Sequence, residues 1–159
     1  MSQLKSKQAN TAVELNTYNK ILDLSTYSMS VCKPKQRKDN KGVLHDDSHH
    51  VPKRYSYIGD SIMNDIAEIG AMVLEANAYY VKANLNEQDR KENYNKRIEL
   101  QNTAYSKTFR IEHYIRLLND HKPFAESTIG HWLNLLFDTR EGIKKWKNSD
   151  VKKRKELDQ

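Results

Sequence analysis

Residues 58–77 read IGDSIMNDIAEIGAMVLEAN, and one spacing runs through them. Ile58, Ile62, Ile66, Ile69, Val73 and Ala76 follow one another at intervals of four or three. Helical residues three and four apart share a face, so the run draws a single apolar stripe on an amphipathic helix. A helix of this kind must bury its stripe against others, and the chain supplies candidates on both sides. Upstream, Val13, Leu15, Tyr18, Leu22 and Met29 recur near helical spacing, with Ile21 and Leu24 beside them. That predicts a first helix from about residue 11 to Cys32, stopped by Pro34. Downstream, a break at Asn84 to Asn86 precedes a third helix over 87–119, with Tyr94, Ile98, Tyr105, Phe109 and Ile115 expected on its inner side. Pro123 ends it, and a fourth helix over 125–147 carries Ile129, Trp132, Leu136, Ile143 and Trp146.

The composition agrees with an all-α reading. Only 5 Gly and 3 Pro occur in 159 residues, and 30% of the chain is charged. Four amphipathic helices with two short connections predict an up-down-up-down four-helix bundle. Residues 1–10 are expected to be a flexible N-terminus, 11–148 the bundle, and 149–159 a charged C-terminal tail. Rods about 35–50 Å long expose much side surface, and their surplus Tyr, Trp and Ile lead us to expect a ring-like homo-oligomer.

The net charge is +6 and the pI about 9.3, which favours an anionic partner, nucleic acid before others. One cysteine, Cys32, excludes an internal disulfide and a cysteine zinc cluster, and it reads as a packing residue. The first residues lack the apolar core of a signal peptide, and no apolar run approaches the ~20 residues that span a bilayer. A cytoplasmic protein is therefore expected.

The connection over 33–54 is long, basic and almost without apolar residues, so it is read as a functional or disordered loop. Within it, HDDSHH (residues 45–50) supplies metal-ligand types. Adjacent His49 and His50, and adjacent Asp46 and Asp47, converge on one ion only if the loop folds to hold them, so a solvated loop is preferred to a metal site. No cofactor is expected. Replacing His45, His49 and His50 should then leave folding nearly unchanged. No nucleophile elbow, phosphate loop or dinucleotide-binding glycine turn is present, and no catalytic residue is assigned. Asp60, Asp65, Glu68 and Glu75 read as a solvated face pairing with neighbouring cations, and Glu112 as a partner of Arg116.

The following segment, PKRYSYIGD (residues 52–60), is more suggestive. Lys53 and Arg54 can neutralise phosphates while Tyr55 offers a stacking face. Tyr55 and Tyr57 could equally staple the second helix onto the bundle, and both readings stand. Lys96, Lys107 and Arg110 fall within about 60° of one another on the third helix. Lys144 and Lys145, with Lys147, lead into KKRK at 152–155. The candidate contacts for nucleic acid or a polymerase are Lys53, Arg54, Tyr55, Lys96, Lys107, Arg110, Arg116, Lys144 and Lys145.

Three segments carry a family resemblance: ELNTYNKILDLSTYS (14–28), PKRYSYIGDSIMNDIAEIGAMVLEAN (52–77) and HYIRLLNDHKPFAESTIGHWLNLLFDTREGIKKW (113–146). Together they resemble the four-helix-bundle family that includes the accessory variability determinant of diversity-generating retroelements. The shared features are an aromatic residue four before a glycine (Tyr55, Gly59), Arg-Leu-Leu at 116–118, and a late Trp146 after Gly142. The resemblance spans roughly residues 14–148. It implies a basic, barrel-like homopentamer that binds a reverse transcriptase and nucleic acid, and supports cDNA synthesis from a template RNA without catalysing it. Of the contact residues, only Arg116 belongs to a family motif. A sister branch, encoded in intervening sequences of 23S rRNA genes, implies a similar bundle acting without a reverse transcriptase. A metal-dependent enzyme built on residues 45–50 is the alternative of another class. The connection at 33–54 is longer than the family's, and a glycine pair before the late Trp is here Gly142 followed by Ile143.

Overall fold

The computed structural model describes residues 12–79, 81–82 and 85–159, with residues 12–15 by backbone only. Among them are four α-helices: α1 (Ala12–Cys32), α2 (Ser56–Ala78), α3 (Glu87–His121) and α4 (Glu126–Glu156). Each packs on two others, α1 and α3 both lying between α2 and α4. Cross-contacts fix their directions. Ser28, late in α1, accepts a hydrogen bond from Trp132 Nε1, early in α4 (2.8 Å), while Thr17 donates to the Gly142 carbonyl (3.2 Å). Arg97 reaches α2's last turn at Ala76 and α4's last third at Asp150. Neighbours therefore run antiparallel, as an up-down-up-down bundle requires.

Local chemistry sets the ends. Pro34 halts α1. Asn86 caps α3 by accepting from the Asp89 amide (2.8 Å), and Glu87 and Asp89 place negative charge at its positive end. The Lys122 amide still bonds the Leu118 carbonyl before Pro123 ends the run. Asn84, expected in the break before α3, lies outside the described residues, as do residues 1–10 and the side chains of Val13 and Leu15.

All six stripe residues of α2 are buried. α1 and α3 differ from expectation. In α1 the inward residues are Thr17, Ile21, Leu24, Ser28 and Val31, whereas Leu22 and Met29 are exposed. In α3 they are Tyr94, Arg97, Gln101, Ala104, Thr108, Ile111, Ile115 and Leu118; Phe109 is exposed, and Ile98 and Tyr105 are half-buried. Polar residues hold inward positions because each finds a partner there, so apolar spacing alone shifts the stripe.

The charged tail is a second correction. α4 continues to Glu156, about two and a half turns beyond its expected end at residue 147. Asp150 explains the extension. It is buried, accepting from Arg97 Nε (2.9 Å), Arg97 Nη2 (3.3 Å) and Gln101 Nε2 (2.6 Å). Arg97 also donates to the Ala76 carbonyl and lies over the Trp146 ring. The pair ties the end of α4 to α2 and α3.

The 33–54 connection is the third. It holds an antiparallel hairpin, β1 (Gln36–Lys38) and β2 (Leu44–Asp46), with Arg37 opposite His45, followed by a 3₁₀ turn at Lys53–Tyr55. Asp39 organises the tip by accepting from the Lys41 and Val43 amides, and Gly42 supplies the left-handed backbone (φ 77°) that the turn requires. Val51 is fully buried in the bundle core, its amide bonded to the Val31 carbonyl (2.8 Å).

Candidate nucleic-acid interface

HDDSHH works as a fastening. His49 Nδ1 lies 2.6 Å from Thr128 Oγ1 on α4, and His50 Nδ1 lies 3.0 Å from the Ser30 carbonyl on α1. His45 Nε2 pairs with Asp39 (2.8 Å), and Asp46 with Arg54 (2.6 Å). Asp47 accepts from the His49 amide (2.8 Å). The groups diverge, each to its own partner, and no group of three metal-ligating residues gathers among the described residues. Hydrogen bonds from His45 to Asp39 and from Arg54 to Asp46 hold both carboxyls below the usual range. Cys32 sits where α1 meets Gly59, and a Cβ on that glycine would come within 3.3 Å of the cysteine's own. Burial pushes its thiol up to about 12, so it is protonated at neutral pH.

The basic candidates occupy three places. Lys53, Arg54 and Tyr55 stand at the hairpin end. Lys53 is exposed and makes no ion pair among the described residues; Arg54 lies over the Tyr55 ring as well as pairing with Asp46. Tyr55 is half-buried against His121, its ring centroid 5.7 Å away, which favours its role as a staple. Lys96, Lys107 and Arg110 do share one edge of α3, the edge turned to α2. There Lys107 pairs with Glu68, Arg110 with Asp65 (3.2 Å), and Lys96 lies over Tyr79. Asp65 is buried, its Oδ2 near Arg110 Nε without a well-aligned hydrogen bond, and burial raises its pKa despite that neighbour. Arg116 pairs with Glu112 (2.9 Å), as expected. Arg140 also pairs with Glu112 (2.7 Å), donates to Thr108 and lies 3.8 Å from the Phe109 ring centroid. Glu112 is pushed up by its partial burial, but hydrogen bonds from Arg116 and Arg140 outweigh that and hold it low. Lys107, Arg110 and Arg116 are thus already matched by carboxylates of their own chain.

The third place is α4. Because the tail is helical, its lysines fall into a pattern: at about 100° per residue, Lys144, Lys145, Lys152 and Lys155 lie within an arc of about 100°. That arc faces directly away from Trp132, Leu136, Ile143 and Trp146, and all four lysines are exposed. None makes an ion pair among the described residues. They extend along about 17 Å of helix. The sequence reading puts Lys152 and Lys155 in a tail because Val151, the next apolar residue after Trp146, falls outside the stripe of Trp132, Leu136, Ile143 and Trp146; the phase of the two lysines relative to Trp146 is the signal that places them.

Charge is divided across the bundle. α2 carries Asp60, Asp65, Glu68 and Glu75 and no basic residue, whereas the second half of α4 and the hairpin carry cations that make no ion pair among the described residues. No helix among the described residues is long and apolar enough to cross a membrane. No family model, curated protein or solved structure matches the chain.

Proposed function

We propose that this protein is a non-catalytic, basic four-helix bundle that binds nucleic acid and acts as an accessory to a reverse transcriptase. The observation that carries the binding is the outward lysine face of α4. Four exposed cations with no ion pair among the described residues, set along one face of a helix, are suited to phosphates along a strand, whatever its sequence. Lys53, near the hairpin, offers a further contact at the other end of the rod. The resemblance supplies the rest of the reading: a ring of five copies that multiplies modest contacts into avidity, and a template RNA or its cDNA as ligand.

The test is salt dependence with charge reversal. For a single strand each engaged phosphate contributes roughly 0.7 to the slope of log K against log salt, so four contacts give a slope near 3 per subunit. Lys144→Glu with Lys145→Glu should flatten it and weaken all sequences about equally, with helicity unchanged. Affinity that is indifferent to salt would sink the binding reading. Light scattering that returns an 18.7 kDa particle would remove the ring. A genomic neighbourhood without a reverse transcriptase and a template/variable repeat pair would remove the retroelement and leave a nucleic-acid-binding bundle.

A further inference from the structure

We infer that the cleft between the hairpin and the α3–α4 turn is a binding site for a terminal phosphate monoester, with Arg37, Lys38 and Lys122 as its cationic lining. This deepens the nucleic-acid reading and rests on it only for the source of the phosphate, the end of a strand. The cleft measures about 590 Å³. That lies within the roughly 300–1,000 Å³ of small-ligand sites and leaves room for a nucleotide behind its phosphate. Its cations come from two segments far apart in sequence, β1 and the turn at Lys122 and Pro123.

Three features make this more than a basic patch. Among the described residues none of the three cations is ion-paired, while both carboxylates in the wall have partners: Asp39 accepts from His45 and the amides of its own turn, and Asp46 pairs with Arg54. With Asp46 offset by Arg54, three cations stand against the single charge of Asp39, so the cleft is net positive. Next, the walls are fastened to each other. The Ala125 amide bonds the Ser48 carbonyl (2.9 Å) and His49 is held on Thr128, while within the hairpin wall the Asp47 amide bonds the Lys35 carbonyl (3.0 Å). A preformed site loses little freedom on binding. Finally, the number of donors suits a chain end. A phosphate monoester carries about −1.5 to −2 charges and three acceptor oxygens at neutral pH, against one charge on an internal phosphodiester. An arginine fork and two ammonium groups match the former. Asn40 and Ser48, also in the lining, are placed for the polar groups of a sugar or base.

The experiment compares a short single-stranded RNA bearing a 5′-phosphate with the same RNA bearing a 5′-hydroxyl, by fluorescence anisotropy at physiological salt. The wild-type chain should bind the phosphorylated form about tenfold more tightly, the effect of one charge-assisted contact. Arg37→Ala, Lys38→Ala and Lys122→Ala combined should abolish that preference with melting unchanged. Lys144→Glu with Lys145→Glu should weaken both RNAs and keep their ratio. Equal binding of the two RNAs by the wild type, or a preference that survives the triple substitution, overturns the inference while leaving the α4 reading intact.

A titration with adenosine monophosphate, followed by amide NMR shifts, decides the cleft without RNA. Shifts at residues 37, 38 and 122 that vanish in the triple variant support the site even where neither RNA binds and the nucleic-acid reading has failed. Their absence at low-millimolar ligand overturns it. A 5′-phosphorylated RNA that binds far more tightly than the mononucleotide assigns the ligand to a chain end; equal affinities assign it to a free nucleotide.

Discussion

Asp150→Ala should be among the most damaging single changes available in this chain. Arg97 and Asp150 are 6% and 3% exposed, and the carboxylate accepts three hydrogen bonds from Arg97 and Gln101. Removing it leaves a buried guanidinium with its charge uncompensated, which costs about 3–5 kcal/mol. For a chain of this size each kcal/mol lowers the melting temperature by about 2–4 °C, so a fall of roughly 6–20 °C is expected. Replacing both charges, Arg97→Met with Asp150→Leu, removes the desolvation cost along with the attraction. That double variant should recover most of the loss, leaving about 1 kcal/mol for the unmade bonds to the Ala76 and Gln101 groups. Urea unfolding followed by far-UV circular dichroism, at one protein concentration, measures all the forms in a double-mutant cycle. A single variant within about 1 kcal/mol of wild type would refute the reasoning, because so small a cost means solvent reaches the pair. So would a double variant no more stable than the single one.

Two glycines of α4 should respond in opposite directions. Gly130→Ala meets nothing within 4 Å and should stabilise by about 0.5–1 kcal/mol, whereas Gly142→Ala sets a methyl 3.3 Å from the Thr17 hydroxyl that bonds the same residue's carbonyl, and should destabilise. Thermal melts of both read the sign directly. Asp65→Asn should stabilise at neutral pH: burial raises this carboxyl's folded pKa above 3.8, so the ionised form weakens the fold above that folded pKa, and the gain should vanish as pH falls below 3.8. A gain that is constant with pH would contradict this. His49→Ala and His50→Ala, expected from sequence to be silent, should each cost about 0.5–1.5 kcal/mol and speed proteolysis in the hairpin, because their rings fasten it to α4 and α1.

What sequence could reveal was decided by how each helix satisfies its inward side. α2 satisfies it with aliphatic residues except at Asp65, and its stripe was legible residue by residue. In α3 the same positions go to Arg97, Gln101 and Thr108, whose partners are 32 to 53 residues away in α4. Nothing local marks such residues as buried, so the apolar Ile98, Tyr105 and Phe109 drew the stripe to the wrong side. The end of α4 was lost for the same reason: Asp150 is recognisable as a core residue only once Arg97 is known to face it. Among the site residues, the shared face of Lys96, Lys107 and Arg110 was legible from spacing, but their neutralisation by Glu68 and Asp65 was not. The hairpin did leave a local trace, the Asp39-Asn40-Lys41-Gly42 run with a glycine where a left-handed residue closes a short loop. Its strands are only three residues long, too short for alternation to register.

The contrast between α2, with four acids and no basic residue, and α4, in which basic residues outnumber acids, has a consequence in motion as well as in contact. These helices stand at opposite corners of the bundle, each touching only the other two among the principal packing pairs. The protein therefore carries an electric dipole across its width. In the field of a polyanion such a rod experiences a torque before it experiences a touch. It rolls about its long axis until α4 leads and α2 trails, within the Debye length of about 8 Å at physiological salt. Collisions are thereby sorted by orientation, and the face that arrives first is the one whose four lysines make no ion pair among the described residues.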